Sequence, residues 1–217
     1  MSDTALNEAL IERLAAGLGP VRRLRPPGLQ ALAWFGVAAA IGLALSPLAD
    51  FAAVRARLTA APDMWLAVLG STLTAAAAAY AAFQTGLPDR SPRWAWLPVL
   101  PAALWVGASG AGCLRGWLQI GPNPVPMAEM QLCFVFILGL SLPLAAALAA
   151  MLRWACPLRP GLTAVLAGLA SAAAAATLLN LFHPFDAAAT DLTIHAIAVA
   201  AVIGANRLLG GRLFGST

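Results

Sequence analysis

Six long apolar stretches, at about residues 29–48, 64–83, 94–112, 130–152, 162–181 and 191–209, alternate along the chain with short polar or Pro/Gly-rich joints. Each is close to the roughly 20 residues that a helix needs to cross about 30 Å of hydrocarbon. The joints read ADFAAVRARLTAAPD, QTGLPDRSPR, CLRGWLQIGPNPVPMAE, RWACPLRP and FHPFDAAAT. In front of the first stretch the pattern changes. Residues 4–18, TALNEALIERLAAGL, repeat Leu6, Leu10 and Leu14 at i+4, with Ile11 and Leu18 flanking the same stripe and Asn7, Glu8, Glu12 and Arg13 on the other faces. Ser2 or Asp3 caps the start of this helix and GLGP stops it. The pattern predicts an all-α integral membrane protein, a six-helix transmembrane bundle with a short cytoplasmic amphipathic helix at its N-terminus. Residues 1–27 would form that helix and a basic tether, 28–209 the bundle, and 210–217 a cytoplasmic tail.

Composition sharpens the membrane reading. Of the 217 residues 61% are hydrophobic and only 10% charged, with a mean hydropathy of +0.81; an average soluble domain carries about 25% charged residues. One membrane domain fits this length, with no sizeable water-soluble core in addition. All 13 basic residues are arginine. They stand singly or in pairs beside apolar segments, so the net charge of +4 marks topology and not a nucleic-acid surface. With a cytoplasmic N-terminus, Arg13, Arg22, Arg23, Arg25, Arg90, Arg93, Arg153, Arg159, Arg207 and Arg212 fall inside, against Arg55, Arg57 and Arg115 outside. That asymmetry puts both termini on the cytoplasmic side. Asp50, Asp63, Glu129, Asp186 and Asp191 then lie outside. The first apolar run is too long for a signal peptide and lacks a small-x-small cleavage site, so it stays as an anchor.

Within the spans the sequence offers packing and little chemistry. LRPPGL and LRPGL enter the first and fifth spans, each with an arginine at the interface and a proline in the first helical turn. The alanine runs Ala75–Ala79 and Ala172–Ala176 permit close helix approach. Pro98 and Pro101 in the third span and Pro143 in the fourth are expected to kink or loosen their helices. The middles of all six spans lack Asp, Glu, Lys and Arg, which argues against an ion-coupled carrier. Asn180 and His195, the most polar side chains of the spans, sit near the outer ends, and no hydrolase, zincin, P-loop or dinucleotide motif occurs. An enzyme is therefore not expected.

By this topology Cys113 and Cys133 share the oxidising outer side while Cys156 faces the cytoplasm. His183 and Asp186 of LFHPFD, and His195 one turn below, lie at the same outer edge. Three readings stand open: a disulfide or redox-active pair, a soft-metal site of thiolate and imidazole, or plain structural thiols. The spacing fits no standard zinc motif, so no resident metal or cofactor is expected, only transient heavy-metal capture at this Cys/His face.

The head needs a surface, because a lone helix of about 15 residues is marginal in water. Helices that lie on lipid are rich in Lys and Arg on the polar face, whereas this one sets Glu8 and Glu12 against a single Arg13. The leucine stripe suits a groove on a cytoplasmic protein instead, with PVRRLRPP as a short, stiff, basic tether carrying Arg22, Arg23 and Arg25.

Five segments together, VRRLRPP, GCLRGW, QLCFVFILGLSLP, LRWACPLRPGLTAVLAGLASAAAAATLL and FHPFDAAATDLTIH, resemble the NrsF family of bacterial membrane-bound anti-sigma factors over nearly the whole chain. The resemblance implies six membrane helices in a bacterial inner membrane and a cytoplasmic N-terminal segment that holds an extracytoplasmic-function sigma factor of SigF type away from RNA polymerase. It also implies release on periplasmic stress, redox or heavy metal, through outward-facing cysteines; Cys133 matches the cysteine at the start of the fourth span. The departure is FHPFD, where Pro184 follows His183 in place of the family's His-Cys pair. Cys113 then stands as an alternative partner thiol and His183 as an alternative ligand. A rival reading is a small membrane redox protein or metal transporter working through Cys113, Cys133, His183 and His195; a third is a structural subunit of a larger membrane complex.

Overall fold

The structure is a computed structural model that describes residues 3–18, 24–60, 62–120, 127–155, 157–180 and 189–214. Among them it is entirely helical: α1 (Asp3–Ala16), α2 (Pro27–Leu45), α3 (Phe51–Ala60), α4 (Pro62–Gly86), α5 (Val99–Ile120), α6 (Met127–Arg153), α7 (Pro160–Leu179) and α8 (Ala189–Phe214). Short 3-10 turns, Ser46–Leu48 and Pro92–Trp96, follow α2 and precede α5.

Prolines set several of these boundaries. Pro27 and Pro160 occupy the first turns of α2 and α7, where a missing N–H leaves no helical bond unmade. Pro98 and Pro101 act the same way. The helical ladder of α5 starts with the amide of Ala102 donating to the carbonyl of Pro98 at 2.9 Å, so these prolines shape the helix entry and do not loosen mid-span as expected. Pro143 alone lies inside a helix, α6, where it withholds the amide that would bond the Gly139 carbonyl.

Five helices among the described residues are long and apolar enough to cross a membrane: Pro27–Leu48, Asp63–Gly86, Pro92–Arg115, Cys133–Arg153 and Pro160–Leu179. They coincide with the first five expected spans. The sixth lies within α8, a 26-residue helix whose apolar stretch, Ala196–Gly210, is shorter. The joint ADFAAVRARLTAAPD, expected only as a connector, contains α3. Asp50 starts that helix, its Oδ1 accepting from the amide of Ala53 at 3.0 Å, and alanine and arginine favour its continuation.

The bundle is built around α7, flanked by α4, α6 and α8; α2 packs on α4 and α6, and α5 mainly on α4. The alanine runs explain the centre. Ala75, Ala78, Ala79, Ala81 and Ala82 of α4 and Ala170, Ala172, Ala173 and Ala175 of α7 are buried, so the two antiparallel backbones approach over small side chains. A hydrogen bond of 2.8 Å between the hydroxyls of Ser71 and Thr177 and one of 3.5 Å from the Leu158 amide to the Gly86 carbonyl fix their register. Glycine serves the same purpose at two crossings. A Cβ on Gly70 would stand 2.7 Å from the Trp105 nitrogen of α5, and one on Gly168 would stand 2.9 Å from the Ile203 Cα of α8. Trp34 of α2 is fully buried and donates its indole N–H to the Leu144 carbonyl at 3.0 Å, immediately after Pro143. Away from these interfaces, leucines such as Leu43, Leu100, Leu142 and Leu208 face outward, as lipid-facing side chains would.

Candidate functional site

Two regions carry the functional residues expected from sequence. The first is the head. α1 runs from Asp3 to Ala16, and residues 4–18 are exposed throughout. Leu6, Leu10, Ile11, Leu14 and Leu18 are between 54% and 80% exposed, and α1 is not among the helices that pack together in the bundle. Leu18 lies past the helix end expected at residue 18: the chain turns at Gly17, and the Leu18 amide donates to the Ala15 carbonyl at 3.1 Å. Helical geometry moves one further residue. At 3.6 residues per turn Asn7 projects between Leu14 and Ile11, within the leucine arc and not on the opposite face as expected. The arc is therefore an apolar strip with a single amide inside it, backed by Ala5, Ala9, Glu8 and Glu12.

Between α1 and α2 the described tether is non-helical. Pro26 holds φ −53° and ψ 138°, an extended polyproline-like conformation, and the Arg25 carbonyl accepts from the Gln30 side-chain amide at 2.7 Å. Arg25 is exposed; Arg22 and Arg23 lie outside the described residues.

The second region is the end of the bundle where α4 begins and α5 finishes. Cys113 of α5 is half-buried, whereas Cys133 of α6 is only 4% exposed, enclosed with Ile137, Ala175, Leu179 and Ala198. Among the described residues α5, which carries Cys113, packs mainly on α4, while Cys133 packs with residues of α7 and α8. Neither thiol is joined in a disulfide among the described residues. Cys156, His183 and Asp186 lie outside the described residues; His195 is on α8, one turn from Ala198, with its side chain outside the description. Among the described residues no group of three or more His, Cys, Asp or Glu side chains gathers as a metal-binding set.

An ion pair missed by sequence reading occupies this end. Arg115 of α5 grips Asp63, in the first turn of α4, with both terminal nitrogens: Nη1 bonds Oδ1, and Nη2 bonds Oδ2 at 3.0 Å. The Asp63 side chain is only 17% exposed. Gly112 makes room for it, since a Cβ there would run into the carboxylate. Asp63 also sits favourably at the positive end of the α4 dipole. The signal in the sequence was two opposite charges at the same end of consecutive spans. At the other end Arg159 plays a different role, its guanidinium donating to the carbonyl of Arg90 at 3.1 Å and to that of Thr85 at 3.4 Å, which ties the start of α7 to the end of α4.

A family model described as NrsF, negative regulator of sigma F, matches residues 14–215. The match takes in Leu14, Leu18, the tether and the whole bundle, and begins after Leu6, Leu10 and Ile11. No curated protein and no solved structure matches the chain.

Proposed function

The chain belongs to the NrsF family of negative regulators of sigma F, regulators and not enzymes, and from that premise we propose that it is an anti-sigma factor of the bacterial inner membrane. α1 binds an extracytoplasmic-function sigma factor through Leu6, Leu10, Ile11, Leu14 and Leu18, and Arg22, Arg23 and Arg25 hold the complex at the cytoplasmic membrane face. The bundle crosses the membrane six times, α8 being the sixth crossing, with both termini in the cytoplasm. A periplasmic redox or heavy-metal stimulus acts on the Cys113, Cys133, His183 and His195 face and releases the sigma factor.

The observation that carries this reading is the exposed leucine strip of α1. Five large apolar side chains on one short segment, outside the packing of the bundle, gain most by being covered. The absence of ionisable side chains from the middles of the spans leaves the bundle better suited to hold and position than to transport. Pull-down from solubilised membranes, with captured proteins identified by mass spectrometry, tests it. The full chain should retain a sigma factor, and a Leu10→Asp, Leu14→Asp variant should lose it while remaining folded in the membrane. Failure of the intact protein to retain any sigma factor, under both reducing and oxidising conditions, would remove the central claim.

A further inference from the structure

The short helix α3 lies in the connection between two helices long enough to span a membrane, three residues beyond the end of the Ser46–Leu48 turn and two before α4. Its position is thereby confined to a membrane boundary. On its surface Val54, Leu58 and Phe51 fall on one narrow arc, with the exposed Arg55 next to Phe51 on its flank. Val54 is buried, whereas Phe51 and Leu58 are exposed. The opposite face is small and mildly polar: Ala52, Ala53, Ala56 and Thr59, the last turning its hydroxyl back onto the carbonyls of Ala56 and Arg55.

We propose that α3 is an interfacial helix that lies on the outer leaflet, with Phe51 and Leu58 in the acyl boundary and Arg55 on phospholipid phosphates. This rests on the membrane-spanning reading of the bundle. Three observations select lipid as the occupant. Leu43 of α2 and Leu48 of the turn that precedes α3 are large, apolar and exposed as Phe51 is, so apolar surface is left uncovered on both sides of the turn into α3. Arg55, exposed at the boundary between the apolar and polar faces, is placed to extend toward headgroups while its stem stays on the apolar side. Finally, exposure rises across the arc from Val54, which the protein itself covers, through Leu58 at 36% to Phe51 at 58%, so one edge of the arc rests on the bundle and the other is left for another apolar surface.

The arrangement has a consequence for the site nearby. α3 leads directly into the α4 turn that carries Asp63, the partner of Arg115 beside Cys113. A helix anchored in headgroups makes the outer end of α4, and with it the Cys113 environment, sensitive to the lipid surface.

Single spin labels placed through Phe51→Cys, Leu58→Cys and Ala56→Cys in a cysteine-free full-length chain, reconstituted in bilayers of phosphatidylethanolamine and phosphatidylglycerol, test this by collision with oxygen and with a water-soluble nickel chelate. Labels at Phe51 and Leu58 should prefer oxygen and sit about 5–10 Å below the phosphates, while the label at Ala56 should prefer nickel. A label at Leu43→Cys separates the two levels of inference: oxygen preference at Leu43 with nickel preference at Phe51 and Leu58 overturns the interfacial helix alone, and nickel preference at Leu43 overturns the membrane reading beneath it. Labels at Phe51 and Leu58 closed to both reagents would assign the face to protein contact and also overturn the proposal. As a second measurement with native cysteines, p-benzoylphenylalanine at position 51 should cross-link to phospholipid on illumination; an adduct with another copy of the chain, or no adduct, would contradict it.

Discussion

Truncating Leu10 and Leu14 to alanine gives the most direct quantitative test of the head. The two side chains are 55% and 65% exposed, so roughly half to two-thirds of each is available for covering by a partner. Complete burial of a leucine is worth about 1.5–3 kcal/mol. Scaled to the exposed share, and allowing that alanine keeps its Cβ, each truncation should cost about 1–1.5 kcal/mol of binding free energy. The pair should then cost about 2–3 kcal/mol, which is roughly 30- to 150-fold in Kd. Leucine and alanine are both strong helix formers, so a loss of this size reports the missing contact and not a melted helix. The assay is calorimetric titration of the sigma factor into detergent-solubilised full-length protein, with circular dichroism to confirm unchanged helicity. Glu8→Gln on the opposite side of α1 serves as the control and should change Kd by less than about twofold, as surface charges usually contribute little. A double alanine variant that binds within about threefold of the parent, at equal helicity, would show that the strip is not the contact surface.

Three further outcomes are expected. Asn7→Leu completes the apolar arc of α1 and should tighten sigma binding several-fold while weakening discrimination between sigma factors, because a lone polar residue in such an arc fixes register at a cost in affinity; competition binding against an unrelated sigma factor measures both. Asp63→Asn breaks a charge-assisted pair that is partly shielded from water, and should lower bundle stability by about 1–3 kcal/mol and speed alkylation of Cys113, read by mass spectrometry against Cys133 as the protected reference. Trp34→Phe removes the buried indole N–H and leaves the Leu144 carbonyl with one acceptor position unused, so the thermal midpoint in detergent should fall by an amount equivalent to about 1–3 kcal/mol.

Much of this arrangement was legible from residue order, for physical reasons that can be named. The first five spans were readable because lipid imposes a length and an apolar composition at once, and the alanine runs of α4 and α7 read as close-packing surfaces because small side chains do little else there. α3 was missed because its arc is one turn shorter than the window in which periodicity stands out, and its two arginines made it resemble a charged loop. Pro98 and Pro101 were taken for kinks because their distance from the helix start cannot be judged until the preceding 3-10 turn is known. The Asp63–Arg115 pair depends on which helices are neighbours, a property that hydropathy does not encode. The same limit left three readings of the thiols open, because hydropathy does not show that α5 packs mainly on α4 while Cys133 packs with residues of α7 and α8. In the head the i+4 leucines stood out, and Asn7 was misplaced because counting leucines leaves the residues between them unassigned.

The different packing neighbours of the two thiols bear on how, in the proposed mechanism, an outer event would reach the head. Cys133 and Leu144 belong to the same helix, α6, and are eleven residues apart, about 16 Å along the axis. Leu144 accepts the Trp34 indole, and Trp34 lies two turns into α2, the helix that begins where the tether ends. In the proposed mechanism, a displacement of α6 that follows a change at Cys133 would reach α2 through its packing on α6 and the buried Trp34–Leu144 hydrogen bond, next to Pro143, where the helical ladder already lacks one amide. The route through Cys113 is different. It passes by Arg115 and Asp63 into α4, whose alanine face is locked against α7 along most of its length and is the part of the bundle least able to slide. Of the two cysteines, Cys133 is thus mechanically closer to the head although it is the more enclosed, and Cys113 is the more accessible although its helix is tied to the rigid core. Rearrangement sufficient to shift binding from nearly complete to nearly absent requires a difference of about 5.5 kcal/mol between two bundle states. Opening the packed surroundings of Cys133 involves leucine, isoleucine and alanine contacts of that order, whereas disturbing one ion pair at Asp63 does not reach it.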